Sequence, residues 1–494
     1  MLILIITILA ILLFIFYVAS PAPRDSIFLE KLQRILNKDP QLFLSEKDME
    51  LDDNFEDKDK RRLRIWIETV ASQQADNHMY QIGYPVNHYD FSRLSKLNQM
   101  MYNCLFNNVG NAFEDRPSSH WHFHSLGIEK SLLKKFIRIW GSTMDRTWAA
   151  VTTGGSEGNV KGILNGARFL MQKNLKQIQQ RNTERSTFQK FFTSNEIETR
   201  IEINKIRFLH SVESHYSVEK ILRMLGCSEE SVKGSVVESN YLSGSMDCND
   251  LETKMTNYIM KKNIFNFVVI ACLGTTFKGG NDDLNQIKTI IEKIKKIYPV
   301  VNVYIHLDGA LGGGYWEHAV AQGAPRYTIG THFHSISFSA HKWHGGVFGG
   351  ASLIDNAHMA RADDTAKVDV LSFIDESISG SRDGKVCILW LSRLIDFQNK
   401  WQGMYERCRN TAKWLRGRLI DAGAKSANLA DNSLIVWFYP PPSDTTCHKF
   451  NIMTSPVQNG DETIHAAHVM VMPHVTNDIL EIFLTKYNHD PKQL

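Results

Sequence analysis

Two apolar runs with one amphipathic stretch between them constrain the fold of this chain most narrowly. Phe267-Val268-Val269-Ile270-Ala271 and Val301-Asn302-Val303-Tyr304-Ile305 are short and β-branched, as strands buried in a sheet are. Residues 284–298, LNQIKTIIEKIKKIY, lie between them with apolar side chains at helical spacing. Strand, helix, strand in that order predicts a crossover between parallel strands. The chain is therefore read as α/β, with a mostly parallel sheet covered by helices. Past about residue 385 the rhythm changes. A long helical stretch, 388–419, precedes strand-like runs at 433–439 and 469–472, which predicts a smaller α+β terminal domain. The segment 172–200, rich in Gln, Asn and Lys, reads as an exposed insert.

A chain of 494 residues can hold more than one folding unit. Its net charge of +3, with basic residues mixed among acidic ones, gives no nucleic-acid face. Seven scattered cysteines without a C-x-x-C pair argue against a disulfide framework and for a reducing compartment. Residues 1–20, MLILIITILAILLFIFYVAS, carry no ionisable side chain. As a helix they would reach roughly 30 Å, the thickness of a bilayer core. A cleaved signal peptide is the rival, since Val18-Ala19-Ser20 resembles a cleavage site. A missing basic n-region and Pro21 at the cut favour an uncleaved anchor. Lys31, Arg34 and Lys38 after it place the body in the cytosol by the positive-inside rule.

Three short motifs carry the chemistry. Thr152-Thr153-Gly154-Gly155-Ser156-Glu157-Gly158-Asn159 precedes a helical stretch. Its glycines let the backbone approach a ligand, and the helix start offers free N–H groups to an anion. A plain helix cap with a tight turn explains this motif equally well. Asp308, in Ile305-His306-Leu307-Asp308-Gly309-Ala310, ends an apolar strand, where ligands sit in open α/β sheets. A carboxylate there could hold the proton on a pyridinium nitrogen; capping the next turn is the plain alternative. Lys342, in Ser337-Phe338-Ser339-Ala340-His341-Lys342-Trp343, stands in a loop after a strand. A desolvated lysine there could bond a carbonyl carbon. Any one of these is weak; their order supplies the parts of a pyridoxal-phosphate site.

Those residues resemble the group II pyridoxal-phosphate-dependent amino-acid decarboxylases, in the histidine/serine decarboxylase branch. Further segments are similar to that branch: Gly83-Tyr84-Pro85-Val86-Asn87, Glu213-Ser214-His215-Tyr216-Ser217-Val218, Gly274-Thr275-Thr276-Phe277-Lys278-Gly279 with Asp282-Asp283, Ser379-Gly380-Ser381-Arg382-Asp383-Gly384, and Ala467-His468-Val469-Met470-Val471-Met472-Pro473. The resemblance implies a fold-type I large domain with a seven-stranded sheet over residues 116–365 and a small α+β domain over 366–494. A helical segment over 21–115 and the anchor at 1–20 precede them. It implies pyridoxal 5'-phosphate as cofactor, carried by Lys342, with Asp308 at the ring nitrogen and His215 stacked on the ring. Gly155, Ser156, Ser339 and His341 would hold the phosphate. Thr276 and Ala310 would lie against the ring, and Tyr84, Asn87 and His124 on the substrate side. A homodimer that decarboxylates an L-amino acid, histidine first and serine second, is the implied activity.

Two features depart from that branch: the N-terminal anchor, and Asp383 where the branch has Asn. His120, His122 and His124 alternate as on one strand face, but no Asp, Glu or Cys stands nearby, so no metal site is expected. His465 and His468 are read as structural. The rival activities are a membrane-anchored lyase of the sphingosine-phosphate lyase type and a catalytically idle tethered binding protein.

Overall fold

In the computed structural model the described residues are 80–488, apart from 111, 114–122, 185–202, 362–375 and 460–461. The run at 1–20, residues 21–79 of the expected helical segment, and His120 and His122 lie outside them. Among the described residues no helix is long and apolar enough to cross a membrane.

A two-residue strand, β1 (Asn107–Asn108), comes first. The central sheet is built from β2 (Thr147–Thr152), β3 (Ile206–Ser211), β4 (Val236–Val237), β5 (Asn266–Cys272), β6 (Asn302–Asp308), β7 (Ser335–Ser339) and β8 (Gly350–Asp355), in the spatial order 2-8-7-6-5-3-4. The strands β3 to β7 run parallel, and β8 runs antiparallel to both its neighbours. The predicted mostly parallel sheet of seven strands is therefore present. Both apolar runs lie in it as the neighbours β5 and β6, buried along their whole length. The crossover helix Leu284–Ile297 joins them. It buries Ile287, Ile291 and Ile294 and begins where the Asp283 carboxylate accepts from the N–H groups of Asn285 and Gln286.

The strand β9 (Arg382–Asp383) pairs with β1. Beyond it β10 (Ser426–Leu429), β11 (Ile435–Tyr439), β12 (Thr454–Asn459) and β13 (Glu462–Met470) form an antiparallel sheet in the order 10-11-13-12. The terminal α+β region is as predicted, with two local differences, and a third difference lies in the large region. The helical stretch is broken into Gly384–Asp396 and Trp401–Asp421. Phe397 stands at the break, its ring packed on the distant Tyr89 at 5.9 Å as well as on its chain neighbours Arg393 and Trp401. Val471 and Met472 lie past the end of β13. The expected exposed insert starts instead as regular structure, since the Gly155–Glu184 helix runs through residues 172–184.

That long helix is what seats the sheet. Gly158, Gly162 and Gly166 recur along one face at spacings of four, and each lets a strand come close. A Cβ on Gly158 would lie 2.6 Å from Ser337 Cβ, one on Gly162 2.2 Å from His306 Nδ1, and one on Gly166 2.5 Å from the Tyr304 ring. For Gly162→Ala, better helix propensity favours the alanine by about 1 kcal/mol. The clash is with a buried ring hydrogen-bonded through both nitrogens, and overpacking of that kind costs about 1–3 kcal/mol. Net destabilisation is expected as a lower denaturant midpoint, and an unchanged or higher midpoint would contradict the close packing.

Candidate active site

The sheet register brings the chemistry to one edge. Cys272, Asp308 and Ser337 sit opposite one another across β5, β6 and β7, at the carboxyl ends of parallel strands. Asp308 is almost fully buried, and its Oδ1 accepts from the Ala310 N–H at 3.0 Å. The chain then crosses to β7 and turns into the loop bearing His341 and Lys342. Burial lowers the Lys342 pKa below that of an ordinary lysine, while Asp308 and then Cys272 pull it back up. Asp308 and Lys342 thus share one desolvated space. His215 belongs to it too: burial lowers its pKa, Asp308 raises it and Lys342 lowers it. Its Nδ1 accepts from the Ser217 hydroxyl at 2.8 Å and the Ser217 N–H at 3.3 Å.

Gly155 opens the long helix on the opposite wall. Its N–H donates to Ser339 Oγ at 3.1 Å, and a Cβ there would lie 2.7 Å from that oxygen and 3.0 Å from Ala310 Cβ. Gly154 faces His341, whose Cε1 would lie 3.8 Å from a Cβ on it. Three segments distant in sequence therefore meet at a helix N-terminus, with the Ser156 hydroxyl exposed beside them. The His341 ring stacks on Phe348 at 4.8 Å, and its Nδ1 is buried without a hydrogen-bond partner. Burial, then the Lys342 charge, pushes His341 down to about 4. A tight glycine cradle, a helix start and an orphaned ring nitrogen suit a phosphate group, and a fixed carboxylate with a desolvated amine suits a pyridine aldehyde. The residues present fit pyridoxal phosphate.

The remaining expected residues divide. Thr276 is exposed on the loop after β5 and Ala310 half-buried on the loop after β6. Tyr84 is exposed. Asn87 requires a correction: it is fully buried, and its side chain is spent on backbone. Its Nδ2 donates to the carbonyls of Trp343 and His344 at 2.7 and 3.4 Å, and its Oδ1 accepts from the Tyr89 N–H at 2.9 Å. Rather than facing a substrate, it clamps the loop that bears Lys342. His124 Nδ1 accepts from the Leu126 N–H at 3.4 Å, at the start of the Leu126–Ile139 helix. His468 is buried between the carbonyls of Phe277 and Gly83, 3.1 Å from each, while His465 on the same strand is exposed. No cluster of metal-ligating side chains occurs among the described residues.

The motifs are also joined to one another. The buried Lys278 and the half-buried Glu213 form an ion pair at 2.7 Å, linking the loop after β5 to the loop before His215. Arg382 meets the buried Glu129 at 3.3 Å. Asp383, the departure from the branch pattern, caps the Gly384–Asp396 helix by accepting from the Lys385 N–H at 3.0 Å. Asp and Asn serve that position equally well. Sequence reasoning gave no role to His306. Two residues before Asp308 on a strand, it shares that residue's face, so the period of two was the available signal.

Residues 127–360 match the pyridoxal-dependent decarboxylase conserved domain. The chain is 27% identical over 429 residues to the histidine decarboxylase of Solanum lycopersicum, covering 85% of this chain and 86% of that one. It is 29% identical over 413 residues to serine decarboxylase 1 of Oryza sativa subsp. japonica, covering 82% and 71%. The crystal structure of L-methionine decarboxylase from Streptomyces sp. 590 superposes with a TM-score of 0.75 at 18% identity, over 91% of this chain and 98% of that one, and so shares its fold. Residues 127–360 therefore carry a pyridoxal-dependent decarboxylase domain, and the chain is similar to amino-acid decarboxylases along more than four-fifths of its length.

Buried neutral histidines set an expectation for acid. His306 and His468 are each pushed down to about 4 by burial. Between about pH 6.5 and about 4 the unfolded chain binds more protons at these sites than the folded one, so stability is full above that window and falls as pH drops through it. Asp282, pushed up to about 7 by burial, works the opposite way. Replacing His306 by Asn should flatten the pH dependence of the denaturant midpoint by roughly one proton; an unchanged slope would mean that His306 stays charged in the fold.

Proposed function

We propose that this chain decarboxylates an L-amino acid, with histidine the favoured substrate and serine the second, through a cofactor carried on Lys342. What supports the roles is the meeting of Lys342, Asp308 and His215 in one desolvated space opposite the Gly155 cradle. What supports the substrate choice is the likeness to histidine and serine decarboxylases along more than four-fifths of the chain. When bound, pyridoxal phosphate supplies an electron sink for the pair released as the Cα–carboxylate bond breaks.

The protein's part is placement and proton control. Desolvation makes the Lys342 amine easier to deprotonate, and a neutral amine is the nucleophile. Asp308, held by the Ala310 N–H, presents an acceptor oxygen toward the ring nitrogen. His215, accepting at Nδ1 from Ser217, keeps its proton on Nε2 and offers its ring face. Gly155, Ser156, Ser339 and His341 hold the phosphate. Thr276 and Ala310 border the ring, and Tyr84 and His124 remain on the substrate side. Asn87 acts through the Lys342 loop it clamps. The active unit we propose is a homodimer, tethered to a membrane by residues 1–20, with the catalytic body in the cytosol.

Purified full-length chain supplied with pyridoxal phosphate and each amino acid in turn should release CO₂ with histidine above all others. Lys342→Ala should lose at least about 10³-fold in turnover, as a covalent role demands, and should no longer retain cofactor after borohydride treatment. Native turnover by that variant would remove Lys342 from the mechanism. Aldehyde release from a sphingoid phosphate in place of CO₂ would make the chain a lyase of a different bond.

A further inference from the structure

Beneath the candidate cofactor residues lies a buried polar network centred on Asn159, one turn into the long helix and almost fully inaccessible. Its Nδ2 donates to Asp308 Oδ2 at 2.8 Å and, more weakly, to Ser217 Oγ at 3.4 Å. Its Oδ1 accepts from the Ser337 hydroxyl and from His306 Nε2, the latter at 3.0 Å. His306 Nδ1 meets Ser335 Oγ at 2.8 Å. The directions are fixed by chemistry. A carbonyl oxygen flipped toward Asp308 would set two acceptors against each other and leave the Ser337 and His306 donors facing an NH₂ group. One amide thus braces the carboxylate assigned to the ring nitrogen and, through Ser217, the imidazole assigned to the ring face.

We infer that Asn159 is a positioning residue for the cofactor: it locks Asp308 as a hydrogen-bond acceptor and ties its placement to that of His215. The inference rests on the pyridoxal-phosphate reading of the site. It accounts for why an asparagine stands where a helix interior gains nothing from one, and why His306 is buried at the cost of its charge. The ionisable groups that face Asp308 from the packed elements are Lys342, His215, His306, Cys272 and Asp282. None is a donor that could replace the Asn159 amide without moving.

The test measures pyridoxal-phosphate affinity of the full chain by equilibrium dialysis from about pH 6 to about pH 8. Circular dichroism melts confirm that each variant is folded. Asn159→Leu removes both hydrogen-bonding ends and should weaken cofactor binding about tenfold or more at every pH, the usual cost of losing a bond to a charged group. Asn159→Asp nearly preserves shape. Protonated, its carboxyl can still donate to Asp308; ionised, it repels Asp308. Its affinity relative to the unmodified chain should therefore be near one at the acid end and fall as pH rises. Native affinity in Asn159→Leu overturns the positioning role while leaving the decarboxylase reading intact. A chain that takes up no pyridoxal phosphate in unmodified form overturns both.

Discussion

The close approach of one helix to the sheet underlies everything else in this structure. The row Gly158, Gly162 and Gly166 removes the Cβ atoms that would hold the Gly155–Glu184 helix off β6 and β7. With that distance closed, the helix N-terminus meets Ser339 and Ala310, and Asn159 comes within reach of Asp308. Larger side chains in that row would move the anion-binding end of the helix away from the strand ends. The glycines are therefore as much part of the site as the charged residues, although none touches a reacting atom.

Burial shapes the electrostatics on this platform. Lys342, His215 and His341 are all driven toward their neutral forms by desolvation, while Asp308 counters that drive at Lys342 and His215. A lysine held this way is close to being a nucleophile yet remains tethered to a nearby anion. The Lys278–Glu213 pair, roofed by the Tyr241 and Trp437 rings, keeps two motif loops in register beside this space. Replacing Glu213 would leave Lys278 an uncompensated buried charge.

Local pattern revealed the outline of this arrangement and not its internal wiring. The strands β5 and β6 and the helix between them were legible because apolar periodicity and an Asp cap are written in consecutive residues. Lys342, Asp308 and the Gly155 turn were legible because each lies at the end of such an element. Asn87 was misjudged because the motif containing it says nothing about direction: its amide turns toward the backbone of residues 343 and 344, some 250 positions away. Asn159 was in plain view inside the glycine loop, but its partners come from three other strands and loops. The break at Phe397 was invisible because no proline or glycine marks it.

The Asn87 clamp has a consequence for what counts as the catalytic body. The loop that carries Lys342 is gripped from outside the span of the recognisable domain, by Asn87 on one side and by Arg393, which reaches the carbonyls of His344, Tyr89 and Asp90, on the other. A fragment trimmed to residues 127–360 would retain Lys342, Asp308 and Gly155, yet lose both of these grips on the Lys342 loop. The unit that holds this loop therefore reaches upstream at least to Asn87 and downstream at least to Arg393.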